Sequence, residues 1–252
     1  MSVEASTAGT ATDAQRENFK RDGFLVVDGV VDVGTIDAIV AELGDSYGQQ
    51  RHEQDGVTYF RNRIQDVWKI NEKVKSVALA PAMLRLLEDL YGRRPLPFQT
   101  INFRTGTQLK PHSDALHFST MPEGFMAGVW VAFEDMDRKN GPLVYYPGSH
   151  RLPFVRPADF GAEAKWENYG SYEDYIGALV SERGLQPQYA TIKKGQALIW
   201  AANLLHGGAP QEDSARSRHS QVTHYFFEGC RYYTPMVSEG ENVRWRDPVW
   251  IS

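Results

Sequence analysis

Cysteine and long apolar runs are the two features that this sequence most lacks. Its 252 residues contain one cysteine, Cys230, so the chain cannot form an internal disulfide framework. So few cysteines are typical of a reducing compartment, and we expect a cytoplasmic protein. No apolar run approaches the ~20 residues that a membrane span needs. The N-terminus has neither the basic nor the apolar segment of a secretion signal.

The chain also lacks a large excess of charge of either sign. It has 27 Lys and Arg against 32 Asp and Glu, which gives a net charge of −5 and a pI of about 5.8. This balance gives no electrostatic reason to expect binding to nucleic acid or to an anionic membrane. We therefore expect a small molecule as the binding partner. The sequence leaves open whether the protein is a monomer or a homodimer.

The sequence does contain enough apolar material for a sizeable core, with 42% hydrophobic and 12% aromatic residues. Residues 1–12 are small and polar and predict a disordered tail, and residues 13–252 predict a single domain. A strand is predicted at Phe24–Val27, and a long loop with one short strand at residues 45–65. Apolar residues at helical spacing predict helices at about 13–21, 33–43 and 71–91, the last divided by Pro81.

The second part of the chain has the pattern of a β protein. An insertion at about 151–188 interrupts this pattern and contains a predicted helix at Tyr172–Glu182. Helices followed by many short strands predict an α+β protein with a β-barrel or jelly-roll core. The candidate strands, separated by Gly, Pro and Asn turns, are at about 97–104, 108–114, 125–134, 142–146, 189–193, 196–200 and 218–228.

Two histidines and an aspartate stand out as candidate metal ligands. His112 and Asp114 are two residues apart, so on a β-strand both side chains would point to one face. His206, from a distant segment, would complete a set of two imidazoles and one carboxylate. Such a triad leaves positions open on the metal and suits non-haem Fe(II) that activates O2. The chain has seven histidines, so the spacing alone also fits ordinary polar strand residues.

The surrounding segments make this spacing more specific. Taken in their order along the chain, these segments resemble the phytanoyl-CoA dioxygenase family of Fe(II)- and 2-oxoglutarate-dependent oxygenases. The resemblance extends from about Gln15 to Tyr233. The resemblance implies a double-stranded β-helix, the cupin-like jelly roll, with the N-terminal helices packed on one sheet. It implies Fe(II), 2-oxoglutarate and O2 as cofactor and co-substrates. The segments that carry it are Lys110–Phe118, Gly128–Asp135, Asn140–His150, Gly195–Trp200, His206 and Arg218–Tyr225.

The resemblance also implies residues that bind 2-oxoglutarate. An arginine holds the far carboxylate of the co-substrate, because its planar group forms two parallel charge-assisted hydrogen bonds. The family places this arginine seven residues before the aromatic residue of a His-Phe or His-Tyr pair, which favours Arg218 over Arg216. Trp130 matches a family tryptophan near the co-substrate, although a role in the core fits it equally.

One position departs from the family pattern. The family often has a serine two residues after the distal histidine, where its hydroxyl helps to hold the same carboxylate. This chain has Gly208 there. A water, Thr107 or Gln108 can take the place of that hydroxyl.

The candidate substrate-binding residues are Gln99, Asn102, Arg61 and His117. Gln99 and Asn102 have opposite parity on one predicted strand, so at most one of them faces a cavity there. Arg61 and Arg63 lie in an aromatic-rich segment that suits either a pocket wall for an anionic or polar substrate or an exposed face. His117, three residues after Asp114, is expected near the substrate or the co-substrate.

These observations favour hydroxylation of an unactivated C–H bond, with release of succinate and CO2. The expected substrate is a small or medium-sized metabolite of the natural-product-intermediate type. The same cofactor chemistry ending in epimerisation, desaturation or cyclisation is the first alternative. Asp114 argues against halogenation, because related halogenases lack this carboxylate. A non-oxygenase, cupin-like metal-binding protein is the alternative from another class, and it would not need the arginine anchor.

Overall fold

The computed structural model describes residues 9–252 of the chain. Its helices are α1 (Asp13–Asp22), α2 (Val33–Leu43), α3 (Glu72–Ala78), α4 (Pro81–Tyr91) and α5 (Tyr169–Glu182). Its strands are β1 (Phe24–Val27), β2 (His52–Gln54), β3 (Val57–Tyr59), β4 (Arg63–Gln65), β5 (Pro95–Phe103), β6 (Ser119–Met121), β7 (Met126–Ala132), β8 (Leu143–Tyr145), β9 (Gln188–Tyr189), β10 (Ala197–Ala201), β11 (His206–Gly208), β12 (Ser220–Phe227) and β13 (Arg231–Tyr233).

The first helix begins and ends at residues suited to those positions. The Thr12 hydroxyl accepts the backbone N–H of Gln15, and Gly23 ends α1 with φ of 79°. The folded part starts earlier than the sequence predicted. Ala11 is buried, and its N–H donates to Asp89 Oδ2 at 2.7 Å. The predicted tail therefore stops short of residue 12, and its first eight residues lie outside the described range.

The strands form two main sheets. The large sheet has eight antiparallel strands in the order β1-β10-β7-β12-β5-β4-β3-β2, and a smaller sheet has the order β11-β8-β9. Their inner faces enclose the core of a double-stranded β-helix, as predicted. Residues 45–65 differ from the prediction, because their polar sequence forms three short strands that extend the large sheet beyond β5. Residues 108–113 form no strand of their own.

Alternation along the strands divides the core into two layers. On β7, Val129 and Val131 face the N-terminal helices, while Trp130 and Ala132 face the interior between the sheets. The helices α1 to α4 therefore cover one face of the large sheet, as expected. Because the outer face is closed by helices, the cavity can open only between the two sheets.

The insertion packs against the barrel through helix α5. This helix starts at Tyr169, earlier than predicted, and buries Tyr172 completely. The Tyr172 hydroxyl accepts the backbone N–H of Ser113 at 2.7 Å. The insertion therefore fixes the segment that carries His112 and Asp114.

A glycine in β7 makes room for a large side chain between the sheets. Gly128 pairs with Trp200 of β10, and a Cβ atom at position 128 would lie 2.2 Å from the Trp200 indole. Trp200 is almost wholly buried. Any larger residue at position 128 must therefore displace this indole.

Gly128→Ala should lower the free energy of unfolding by roughly 1–3 kcal/mol, the usual cost of overpacking a core. Thermal or denaturant unfolding measures this change. Gly177→Ala is the matched control, because Gly177 is an exposed residue of α5 with no neighbour within 4 Å of an added Cβ. The control should be neutral or slightly stabilising, by up to about 1 kcal/mol. Equal stability of both variants would show that Trp200 can repack.

Candidate active site

A short piece of backbone pairing brings the two histidines of the predicted triad together. His112 and His206 form an antiparallel bridge in which each N–H donates to the carbonyl of the other at 2.9 Å. Asp114 does not continue this pairing but starts a 3-10 turn that Ser113 caps. The predicted strand at 108–114 was therefore wrong, although the three side chains still converge.

The ligand atoms of His112, Asp114 and His206 lie within 4.8 Å of one another. His112 Nε2 is 3.8 Å from Asp114 Oδ1, and His206 Nε2 is 3.7 Å from Asp114 Oδ2. Two nitrogen donors and one carboxylate at these separations fit an iron ion bound on one face.

Backbone carbonyls orient both imidazoles for metal binding. His112 Nδ1 lies 3.0 Å from the Lys110 carbonyl, and His206 Nδ1 lies 3.0 Å from the Leu204 carbonyl. A carbonyl oxygen can only accept, so each Nδ1 carries the proton and donates it. Each Nε2 then presents its lone pair toward Asp114, which is the arrangement that metal-binding histidines usually have.

The protonation states also suit a metal site. Burial lowers the pKa of His206 to about 4, so this imidazole is neutral at physiological pH. Burial by itself would raise the pKa of Asp114, but His206, His224 and His112 outweigh it and hold the pKa below its usual range. Asp114 therefore offers a negative charge and His206 a neutral nitrogen, which is the state of these two ligands that binds a cation.

Two residues outside the predicted triad complete the surroundings of the carboxylate. The Trp200 indole N–H donates to Asp114 Oδ2 at 2.8 Å, and His224 Nε2 lies 3.6 Å from the same oxygen. Both project inward from the large sheet, Trp200 from β10 and His224 from β12, with β7 between these two strands. Only the packing of the whole chain brings these two side chains to Asp114.

The triad lies in a cavity of about 320 Å³ that extends along the inner face of the large sheet. Apolar and aromatic side chains form much of its wall, with a few polar groups between them, as is usual for small-molecule sites. The side chains beyond the metal triad include Arg63, Gln65, Gln99, Ile101, Phe103, Thr107, Leu109, His117, Phe118, Trp130, Leu143, Trp200, Arg218, Val222 and His224.

Arg218 is a buried cation in this wall. It is 3% exposed, and its Nε has no hydrogen-bond partner within residues 9–252. Burial lowers its pKa to about 10, so it remains charged at neutral pH. Its guanidinium lies 5.2 Å from the Phe103 ring centroid and 5.5 Å from that of Trp130. Because a buried charge is costly unless it is paired, this position is suited to an anionic ligand.

Arg216 has different surroundings. Its Nη1 lies 3.2 Å from Asp137 Oδ2, and it lines a separate surface groove of about 700 Å³. Arg216 therefore has an acidic partner at the surface, whereas Arg218 forms no ion pair among the described residues.

The structure places Thr107 and Gln108, the two residues that could replace the hydroxyl missing at Gly208, in different surroundings. Thr107 lines the cavity, whereas Gln108 lines only the surface groove. A Cβ at position 208 would lie 3.0 Å from Thr107 Oγ1 and 2.7 Å from the Gln108 backbone nitrogen. The Thr107 hydroxyl therefore occupies the space that a side chain at position 208 would need.

Only some of the four candidate substrate-binding residues line the cavity. Gln99 and His117 line the cavity. Asn102 faces the helices instead, where its amide donates to Gln221 Oε1 at 3.1 Å, because alternate residues of β5 point to opposite faces. Arg61 lines the surface groove, and Arg63 reaches the cavity in its place. The sequence offered no signal to choose between these two arginines, because their segment was interpreted as a loop.

Comparison with known proteins places the chain in a family. The model of the phytanoyl-CoA dioxygenase family matches residues 19–220, and the chain belongs to this family. Peroxisomal phytanoyl-CoA dioxygenase from Rattus norvegicus is 24% identical over 252 aligned residues, which cover 91% of this chain and 72% of the rat protein. Phytanoyl-CoA dioxygenase domain-containing protein 1 from Danio rerio is 31% identical over 58% of this chain and 44% of its own length.

Solved structures share the fold. The 2-oxoglutarate-dependent carbocyclase SnoK from nogalamycin biosynthesis has a TM-score of 0.73 at 15% identity, covering 97% of this chain and 96% of its own. The epimerase SnoN from the same biosynthesis has a TM-score of 0.68 at 20% identity, with 94% of both chains covered. EctD from S. alaskensis, solved with 2-oxoglutarate and 5-hydroxyectoine, has a TM-score of 0.66 at 18% identity, over 93% of this chain and 83% of EctD.

Family membership and the triad together define the class of protein. The chain is a 2-oxoglutarate-dependent non-haem iron oxygenase, with iron and 2-oxoglutarate as its cofactor and co-substrate. The non-oxygenase alternative is therefore set aside. Within residues 9–252, no helix has the length and apolarity needed to cross a bilayer.

Trp200→Phe should weaken iron binding by about 10- to 100-fold, because the partners that orient metal ligands typically contribute that much. The substitution removes the hydrogen bond to Asp114 and keeps an aromatic ring between the sheets. Equilibrium competition with a chelator measures the affinity.

Trp68→Phe is the control for this experiment. It also removes an indole hydrogen bond to an aspartate, from Trp68 Nε1 to Asp66 Oδ1 at 3.3 Å, but it lies outside the cavity wall. Unchanged iron affinity in Trp200→Phe would mean that the hydrogen bond does not orient Asp114.

Proposed function

We propose that this protein hydroxylates an unactivated C–H bond of a small or medium-sized metabolite, a natural-product intermediate by class, and releases succinate and CO2. One observation carries the proposal. Two imidazoles, one carboxylate and a buried unpaired arginine line a single cavity. The first three suit Fe(II), and the arginine suits the far carboxylate of a dicarboxylic keto acid.

His112 Nε2, His206 Nε2 and the Asp114 carboxylate would hold the iron. Their bonds to the Lys110 and Leu204 carbonyls and to the Trp200 indole keep these side chains in position before the metal arrives. When bound, iron with 2-oxoglutarate supplies O2 activation and removal of a hydrogen atom from the substrate, coupled to decarboxylation.

Arg218, Trp130 and Thr107 would bind 2-oxoglutarate. Ile101 and Val222 lie between Arg218 and the metal ligands along the strands. This spacing suits a molecule that is anionic at both ends. The Trp130 indole N–H lines the same wall and is buried, with no hydrogen-bond partner in the described part of the chain. The Thr107 hydroxyl would take over from the serine that the family often has at position 208. Gln108 is not proposed for this role, because its side chain lies in the groove.

The substrate would lie beside the metal triad, against Gln99, Leu109, His117 and Phe118. His117 is held by stacking on Trp166 at 5.4 Å between ring centroids, and its Nε2 lies 3.1 Å from the Tyr169 hydroxyl. Burial lowers its pKa to about 4, so it presents a neutral, rigid surface. The inserted segment thus contributes to substrate recognition through these two aromatic residues. Asn102 and Arg61 are not part of this surface.

The same residues would also serve epimerisation, desaturation or cyclisation, because these reactions differ only after the hydrogen atom has been removed. The fold neighbours SnoN and SnoK are described as an epimerase and a carbocyclase. Their similarity concerns the fold, so hydroxylation remains our proposal.

The proposed function predicts iron-dependent conversion of 2-oxoglutarate to succinate, stimulated by the substrate. Asp114→Ala should reduce this turnover to background, because the metal loses its only anionic ligand. Succinate formation with and without added iron measures it, and circular dichroism checks the fold. Mass spectrometry of the product in 18O2 should show one labelled oxygen atom. An unlabelled isomer, or loss of two hydrogen atoms, would replace hydroxylation by one of the alternatives, and iron-independent turnover would contradict the proposal.

Arg218→Ala should raise the KM for 2-oxoglutarate by about 30-fold or more, since truncating one partner of a buried charge pair costs roughly 2–5 kcal/mol. Arg216→Ala is the matched control and should change this KM by less than about threefold, because an exposed ion pair contributes ~0–1 kcal/mol. Titration of 2-oxoglutarate against both variants decides between them. The reverse ranking would move the anchor to Arg216.

A further inference from the structure

A second arginine without an ion pair among the described residues lies in the cavity wall, away from the metal triad. It lies at the level of the proposed 2-oxoglutarate anchor near Phe103, but on β4, which β5 separates from β12. Arg63 of β4 lines the cavity. Among the described residues, its guanidinium forms no ion pair and no side-chain hydrogen bond. Burial lowers its pKa, and no neighbouring carboxylate opposes that shift. A partly buried cation of this kind gains from an anionic ligand.

The position of Arg63 is fixed by packing rather than by hydrogen bonds. Its guanidinium lies 4.4 Å from the centroid of the Phe60 ring, a distance at which a cation and an aromatic face attract each other. This contact restrains the side chain but leaves its N–H donors available. Two of these donors can form parallel bonds to one carboxylate or phosphate.

The register of the sheet places Arg63 away from the metal. Arg63 pairs with Phe103 on β5, whereas Gln99 of β5 pairs with His224 beside Asp114. Four residues separate Phe103 from Gln99, which is about 13 Å along a strand. The Gln99 side chain lines the cavity between these levels, and it has no hydrogen-bond partner among the described residues. A ligand held by Arg63 therefore reaches the metal with its other end.

The charge around the cavity is opposite to that of the whole protein. The chain has a net charge of −5, yet Asp114 is the only acidic residue in the cavity wall, against Arg63 and Arg218. The adjoining groove, which meets the cavity at Thr107, contains Arg61, Arg104 and Arg216 and no acidic residue. Such a local positive surface attracts anions and raises their concentration at the entrance.

We propose that the substrate carries an anionic group, a carboxylate or a phosphate ester, which Arg63 binds on the β4 side of the cavity while the carbon to be oxidised lies at the metal. This inference rests on the proposed function and specifies its substrate class. Gln99 would contact the polar middle of the molecule. The groove with Arg61 and Arg104 would guide the anion toward the entrance.

The test uses the iron-loaded full-length protein and a metabolite extract of its source, separated by ion exchange into anionic, neutral and cationic fractions. The readout is 14CO2 release from labelled 2-oxoglutarate. The anionic fraction should stimulate release in the wild type. Arg63→Gln should need about tenfold more of that fraction for half-maximal stimulation, because it loses a charge-assisted contact. Stimulation confined to the neutral or cationic fraction would overturn the proposal.

Arg51→Gln is the matched control. Arg51 also lies over the Phe60 ring, at 5.8 Å, but it is exposed and outside the cavity wall. Arg51→Gln should change the amount of the anionic fraction needed for half-maximal stimulation by less than roughly twofold, because an isolated surface charge contributes little. An equal loss in both variants would overturn the assignment to Arg63. Treatment of the active fraction with phosphatase distinguishes a phosphate ester from a carboxylate, because only a phosphate ester would lose its stimulating activity.

A parallel binding measurement keeps this inference distinct from the proposed function. Calorimetric titration of 2-oxoglutarate into iron-loaded wild type and Arg63→Gln should give affinities within about twofold of each other, because Arg218 and not Arg63 holds the co-substrate. A marked loss of 2-oxoglutarate affinity in Arg63→Gln would make Arg63 a second co-substrate anchor and overturn the proposal. Absence of 2-oxoglutarate binding in the wild type would instead contradict the proposed function itself.

Discussion

The buried carboxylate of Asp114 is the constraint on which the rest of the site depends. A charge in a protein interior is stable only when it is paired or hydrogen-bonded. Here two imidazoles, an indole N–H and His224 surround it. Each of these partners comes from a different segment of the chain, so a single carboxylate ties together distant parts of the barrel. A metal ion at this position would supply the positive charge that the carboxylate needs.

The barrel satisfies this constraint through small structural details. The bridge between His112 and His206 needs only two backbone hydrogen bonds, yet it sets the separation of two ligands. Gly128 leaves space for the Trp200 ring, which in turn reaches Asp114. Tyr172, from the inserted segment, fixes the backbone between the two ligands. The insertion is therefore part of the support of the active site, and not only a surface elaboration.

The same barrel keeps the two ends of the cavity chemically different. The end near Phe103 carries two arginines, the buried Arg218 and Arg63, which an aromatic ring restrains. The metal ligands lie at the other end, and an apolar wall separates them from the arginines. An acidic protein thus builds a locally positive cavity, because the carboxylates lie elsewhere on its surface. This distribution suits a reaction in which the co-substrate is anionic and, on our proposal, the substrate is anionic as well.

Local patterns in the sequence were enough for the elements of the fold. Apolar residues at helical spacing predicted α1 and α2, and segments bounded by turn residues predicted most strands of the large sheet. Hydrogen bonding and side-chain periodicity act over a few residues, so a linear sequence reveals them. The prediction for residues 45–65 was incomplete, because their polar sequence gave little sign of the local β2–β3–β4 hairpins that join the large sheet through β5. The prediction for residues 108–114 was wrong, because His112 pairs only with His206, far along the chain.

The active site can likewise be divided into residues that the sequence predicted and residues that only the fold revealed. The sequence determined the ligand types and, through its resemblance to a family, named His112, Asp114, His206 and Arg218. Only the tertiary structure decided that Arg63 and not Arg61 faces the cavity, that Asn102 faces the helices, and that Trp200 and His224 reach Asp114. The physical reason is that the direction of a side chain depends on strand register and on packing between distant segments, which form only when the whole chain folds.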